Sequence, residues 1–392
     1  MPENKKELQD LIIMHRRDLH QIPELGLELP QTVSYVTKVL DSLDIKYKVY
    51  EDISCIVAVI EGEGEGRTLA IRADMDALPV KEETELPFRS VNGKMHACGH
   101  DGHTAILLGA AKYLKEHSTD FSGRVKLLFQ AGEEYPGGAQ PMIERGALQD
   151  PKVDAVIGLH QGCIHPDVPK GSVGISYGAL MASVDRFLIK VIGKGAHGAY
   201  PQDSVDAISI AAELVTALDR IVSREVPAVE AAVLSICRIE GGSNHNILPE
   251  VVELEGTVRT TDPKIREKIA RRMNEIANGI AIASGAKIEV LYDPKYPATI
   301  NDPQFTAFFE KVAVDVVGRD KVVVLTKPVM SSEDMSFFLN EVPGTFFFLS
   351  NPKDGEDPVS HHNPKFDIEE DLMMTGCMLF VKTVLEYLKK EE

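Results

Sequence analysis

The chain of 392 residues contains no apolar run approaching the length of a membrane span. Its opening stretch, "MPENKKELQDLIIMHRRDLH", shows no uninterrupted apolar segment ahead of a small-residue cleavage site, so no secretory signal is expected. Cysteine is sparse. The five present (Cys55, Cys98, Cys163, Cys237 and Cys377) are odd in number and widely spaced, which argues against a disulfide framework and for a reducing cytoplasm. Basic clusters are missing too: 42 Lys and Arg stand against 60 Asp and Glu, a net charge of −18, and the cations are scattered. A nucleic-acid or anionic-membrane partner needs a basic face, so both are excluded as expectations. No Cys-x-x-Cys pair marks a structural zinc.

What remains is ordinary globular composition, 44% hydrophobic and 26% charged. The length favours two domains. Strands such as "CIVAVIEG", "RTLAIRA", "RVKLLFQA", "VDAVIGLH" and "GTFFFLS" alternate with helices at 8–20, 31–43, "TAILLGAAKYLKEH" and the closing "EEDLMMTGCMLFVKTVLEYLKK". The pattern predicts an α/β fold, a mostly parallel sheet with helices on both faces. The glycine-rich "EGEGEG" lacks the Gly-Lys-Ser/Thr ending of a phosphate loop and reads as a hairpin turn. Residues 184–293 break the alternation and read β-α-β-β-α-β, a ferredoxin-like domain inserted into a first domain made of 1–183 and 294–392. "GKGAHG" matches Gly-x-Gly-x-x-Gly, but Pro201, Gln202 and Asp203 precede the helix, with Asp203 as the expected N-cap, so a dinucleotide site is rejected.

The densest chemistry is "HACGHDGH", residues 96–103. Cys98 and His100 lie there, Glu133 and Glu134 follow "RVKLLFQAG", His160 closes "VDAVIGLH", and His361-His362 follow "GTFFFLS". Ligands of open α/β sheets collect beyond the carboxyl ends of the strands. Thiolate, imidazole and carboxylate at one such edge are zinc-type donors, too many for one closed tetrahedral site but suited to two metals sharing a bridge. Adjacent glutamates point in different directions, so one can bind metal while the other faces a reacting water. A thiol nucleophile at Cys98 is the alternative, but it leaves the glutamate pair without a role.

The segments "RRDLHQIPELG", "RADMDALP", "MHACGHDGHTA", "AGEE", "GLH", "MASVDRF", "GTVRT", "SSEDMSFF" and "HHNPKFD" resemble, in order and over nearly the whole chain, the two-metal amidohydrolases. That family includes hippurate hydrolase, N-acyl-amino-acid hydrolases, indole-acetyl-amino-acid hydrolases and N-acetyldiaminopimelate deacetylase, within the aminoacylase and metallo-carboxypeptidase clan. The resemblance implies metal ligands at Cys98, His100, Glu134, His160 and His362, with Cys98 bridging and His362 chosen over His361 by the His-x-Pro-x-Phe pattern. It implies Glu133 as general base and Asp76 as a supporting carboxylate, with Asp101 and His103 as neighbours. His197, Asn246 and Arg259 match substrate-contacting positions. Two divalent ions (zinc, manganese, cobalt or nickel) are the implied cofactors. The implied substrate is an N-acyl amino acid or a short peptide, and the implied assembly a homodimer through the inserted domain. Asp74-Met75-Asp76 and Cys98 stand where many clan members carry His-x-Asp and a bridging Asp, which fits the N-acyl-amino-acid branch. A carboxypeptidase or dipeptidase, and a non-catalytic metal-binding homologue, are the alternatives.

Overall fold

The computed structural model describes residues 5–353 and 359–390. It divides into two compact units. The first comprises the described residues up to Leu180, then Ile300–Val329, then those from Asp334 onward; the second comprises Met181–Thr299 and Met330–Glu333.

The first unit is a mixed α/β structure on an eight-stranded sheet. Across the sheet the order is Lys46–Tyr50, Cys55–Glu61, Arg124–Gln130, Thr68–Asp74, Ala155–Gly162, Gly344–Ser350, Val173–Ile175 and Val322–Val324. The central strands, from Arg124–Gln130 to Gly344–Ser350, all run parallel, and the flanking pairs add antiparallel contacts. Every residue of Thr68–Asp74, Ala155–Gly162 and Gly344–Ser350 is buried, as expected of strands covered on both faces. Being parallel neighbours, these strands bring their carboxyl ends to one edge, where the candidate residues cluster.

The hairpin expected at "EGEGEG" does not form. Arg124–Gln130 lies between the two strands, antiparallel to Cys55–Glu61 and parallel to Thr68–Asp74. The turn's donors are taken by the residues that lead into that strand: Gly62 N donates to Gly123 O at 2.8 Å and Glu63 N to Phe121 O at 2.8 Å.

The second unit runs strand, helix, strand, strand, helix, strand. Its antiparallel sheet has the order Ala232–Gly241, Val251–Thr260, Asp185–Ile192, Lys287–Pro294. Helices Ala207–Arg220 and Pro263–Ser284 supply the apolar stripes, including Leu214, Leu218, Ile269 and Met273, that bury against it. Asp203, the expected N-cap, lies instead in a 3-10 turn, and Asp206 caps the helix by accepting from Ile208 N and Ser209 N. The displacement has a local cause. Val205 exchanges both backbone hydrogen bonds with Lys194, at 3.0 and 3.1 Å, and this pairing delays the helix until Ala207.

Candidate metal centre

Five donors predicted from the sequence converge in the first unit. Donor atoms of Cys98, His100 and His160 lie within 4.8 Å of one another, and so do those of Cys98, Glu134 and His362. Cys98 is common to both groups. A further group joins His100 to Glu133 and Glu134 within the same limit.

Local backbone geometry places them. Gly99, at φ +86°, joins Cys98 to a helix that begins with His100, a conformation side-chain-bearing residues avoid. Gly132, at φ +72°, turns the chain out of Arg124–Gln130 into the two glutamates, and a Cβ there would meet Leu27 at 2.7 Å. Asp76 then sets the glutamates' direction: Glu133 N donates to its Oδ1 at 2.9 Å and Glu134 N to its Oδ2 at 3.1 Å. One carboxylate therefore anchors both amides.

The histidines divide by what their rings already do. His103 donates from Nδ1 to Asp74 Oδ1 at 2.6 Å and accepts at Nε2 from Gln161 N at 3.0 Å, so both nitrogens are engaged. His361 is half-buried and its Nε2 donates to Gln161 O at 3.0 Å. His160 donates from Nδ1 to the same carbonyl at 2.9 Å, leaving Nε2 3.4 Å from Cys98 Sγ. Fixing one ring nitrogen this way sets the tautomer that offers the other to a metal. His362, at φ +65°, brings Nε2 to 2.9 Å from Glu134 Oε1. A non-glycine residue in the left-handed region is a form of strain that gathers at functional sites.

The donor set fits a cation. Both ring nitrogens of buried His100 lack a hydrogen-bond partner among the described residues, with Nδ1 3.4 Å from Asp76 Oδ1 and Nε2 3.9 Å from Asp74 Oδ2. Burial works to lower the His100 pKa, but Asp74, Asp76 and Glu134 outweigh it and raise it to about 10. Without a metal, the pocket thus holds a surplus of buried negative charge, which is costly unless a cation compensates it. Burial, then the charges of Glu134 and Glu133, push the Cys98 thiol well above its usual range.

Sequence reasoning overlooked the polar frame behind these residues. Arg72 donates to Asp74 Oδ2 at 2.6 Å and to Asp334 Oδ1 at 2.7 Å, all three buried. Asp334 Oδ2 also accepts from Gly138 N and Ala139 N at 3.0 Å, and its own amide donates to Glu133 Oε1 at 3.4 Å. The available signals are an arginine inside the strand "TLAIRAD" and the acid of "SSEDMSFF".

In the second unit, His197 and Asn246 are neighbours. His197 pairs with Ile247 across two short strands, and Gly198 N donates to Asn246 O at 2.8 Å. Both are exposed, and His197 lines a recess of 690 Å³. Arg259 is half-buried on Val251–Thr260, donates to Met330 O at 3.1 Å and lines another recess with Arg186 and Thr257. Burial lowers its pKa.

Comparison with known proteins agrees with this combination of fold and donor cluster. The family model described as Peptidase family M20/M25/M40 matches residues 70–386, and the chain belongs to that family of hydrolases acting on linear amides. It is 38% identical to N-acetyl-L-cysteine deacetylase of Bacillus subtilis over 393 residues, covering 100% of this chain and 91% of that protein. It is 37% identical to thermostable carboxypeptidase 1 of Saccharolobus solfataricus, covering 98% and 97%. A solved Bacillus subtilis structure described as a dinuclear metal binding peptidase of the M20 family superposes with a TM-score of 0.84 at 33% identity, covering 98% of this chain and 99% of that one.

Proposed function

We propose that the chain hydrolyses the amide bond of N-acyl amino acids, releasing a carboxylate and a free amino acid, with two divalent ions held by Cys98, His100, Glu134, His160 and His362. The observation that carries this reading is that Cys98 belongs to both donor groups, with Glu133 beside them. Cys98 would hold both ions as their common donor, a role open to a thiolate. Zinc, manganese, cobalt and nickel all accept sulfur, nitrogen and oxygen donors, so the ligand set leaves the metal open among them. When bound, such a pair supplies Lewis acidity that polarises the amide carbonyl and acidifies a water.

The chain's own residues do the rest. Glu133 takes the attacking water's proton and returns it to the leaving nitrogen, acting first as base and then as acid. Asp76 keeps Glu133 and Glu134 apart in role by holding their amides. In the second unit, we assign Asn246 and Arg259 to the substrate carboxylate, a group that suits a guanidinium, and His197 to the developing oxyanion. We also assign dimerisation to this unit, supported by Ala232–Gly241, an edge strand paired on one side only. A cytoplasmic location fits the unpaired cysteines, and no described helix is long and apolar enough to cross a membrane.

Peptide cleavage at the same site is the second reading, favoured by the similarity to a protein named as a carboxypeptidase. The test is release of free amino acid by the metal-reconstituted protein from N-acetyl and N-benzoyl amino acids and from dipeptides. Acyl substrates are expected to turn over faster. Faster dipeptide cleavage favours the second reading, and inactivity on all three classes refutes both.

A further inference from the structure

The helices of the second unit cover one face of its sheet. Phe187, Ile189 and Val191 pack into that core, as do Val252, Leu254 and Val258. Alternation along the two strands therefore puts Arg186, Leu188 and Lys190, and Glu253, Glu255, Thr257 and Arg259, on the opposite face. A recess of 630 Å³ opens there, with Arg186 and Arg259 in its lining and Leu188 and Leu291 as apolar walls. Charges on this face are otherwise paired. Lys190 holds Glu253 at 2.9 Å, Arg238 holds Glu255 at 3.0 Å, and Lys287 holds Glu289 at 2.5 Å. Asp293, opposite Arg186 on the neighbouring strand, is taken by Lys295 at 2.7 Å. Among the described residues the exposed Arg186 side chain has no ion pair or hydrogen bond, and the half-buried Arg259 side chain has the Met330 carbonyl but no acid.

Strand register sets these two arginines side by side. Arg186 lies opposite Thr257, so Arg259, two residues further on, is its diagonal neighbour on the same face. Such neighbours stand about 7–8 Å apart, within reach of long side chains. Like charges at that spacing repel, and acids are not scarce in a chain with 60 of them against 42 bases. Two adjacent guanidiniums without acids, beside apolar walls, specify a ligand with two anionic groups on a short apolar stem. We propose that Arg186 is a specificity-determining residue that takes the side-chain carboxylate of an N-acylated acidic amino acid, glutamate or aspartate. The α-carboxylate is the one assigned to Arg259, and the methylenes lie against Leu188 and Leu291. One forked guanidinium fills one carboxylate, which leaves Arg186 for the second. This inference rests on the hydrolase reading above and names the amino acid it prefers.

N-acetyl-L-glutamate and N-acetyl-L-glutamine match in size and differ in that one charge. Binding of each is measured by calorimetry on the metal-reconstituted full chain carrying Glu133→Gln, so that neither is consumed. The glutamate compound should bind about tenfold or more tightly. Arg186→Gln, an exposed change, should bring the ratio of the two affinities close to one, Arg186→Lys should keep part of it, and Arg186→Glu should invert it. A ratio near one with Arg186 intact, or one that Arg186→Gln leaves unchanged, overturns the proposal. An equal loss for both compounds in Arg186→Gln overturns it too, by placing both arginines on the α-carboxylate. So does a lack of binding by both up to about 10 mM. Hydrolysis of the same pair by the chain with Glu133 intact is scored separately. The expected binding ratio without hydrolysis of either compound sinks the hydrolase reading alone, and hydrolysis with a binding ratio near one sinks this proposal alone.

Discussion

Arg16 and Asp101 form a buried ion pair, Nε to Oδ2 at 3.1 Å, with each residue 1% exposed. Asp101 follows His100 directly, and the same guanidinium holds Asp367 at 2.8 Å and Glu370 at 3.0 Å, shortly after His362 in the chain. One side chain on the first helix thus ties together the two segments that carry His100 and His362. Removing it takes the shared guanidinium from three carboxylates, of which Asp101 keeps His20 and Glu370 keeps Arg17. Arg16→Met is expected to cost about 3–5 kcal/mol of stability and to lower metal affinity roughly 10- to 100-fold. Thermal melting and metal analysis check this. Unchanged metal affinity in a folded Arg16→Met protein would mean that the tie is purely structural.

Asp76 is a second such tie, with its two oxygens accepting from the amides of Glu133 and Glu134. Asp76→Asn keeps the size but turns one acceptor into a donor facing an N–H. Activity or metal affinity should fall about 10- to 100-fold with little change in fold. Steady-state kinetics beside circular dichroism decide it, and wild-type kcat with wild-type metal content would remove Asp76 from the account.

Stability should depend on pH through His20. Burial works to lower its pKa, but the hydrogen bond and charge of Asp101, with the hydrogen bond of Glu82, raise it from 6.5 to about 9. The folded ring therefore keeps its proton at a pH where the unfolded chain has lost it. This contribution is complete below about 6.5 and is lost as pH rises through about 9. The melting-temperature gap between wild type and His20→Gln should be widest near pH 6.5 and should narrow toward about pH 10. A gap that widens as pH rises contradicts the sign.

The sequence makes the sheet's carboxyl edge legible because three of the four central strands are short apolar runs that carry or lead into a donor: Asp74, Glu133 after Gly132, and His160. The β-α-β-β-α-β order of the second unit is legible for a related reason, the switch between strand and helix periodicity. Sheet order is not legible locally. Nothing in "EGEGEG" tells that Arg124–Gln130, far along the chain, enters between its flanking strands. Asp203 and Asp206 are equally good caps in isolation, and only the long-range pairing of Val205 with Lys194 chooses between them. Arg16, Arg72 and Asp334 escape for the same reason, since a buried ion pair between distant residues has no periodicity.

If Cys98 bridges the ions, Cys98→Ala should lower the metal content from two ions per chain toward one or none, with turnover lost in proportion. Metal analysis after gel filtration reads this directly. Two tightly held ions in the alanine variant would show that the thiol is dispensable to both donor groups.

The central claim is that Glu133 moves the proton while its neighbour Glu134 holds metal. Metal content and turnover of Glu133→Gln, measured on one preparation with an N-acetyl amino acid as substrate, test it most directly. The account predicts full metal content with turnover reduced by at least about 100-fold, the lower range of a general-base contribution. Substantial turnover with full metal content would contradict it.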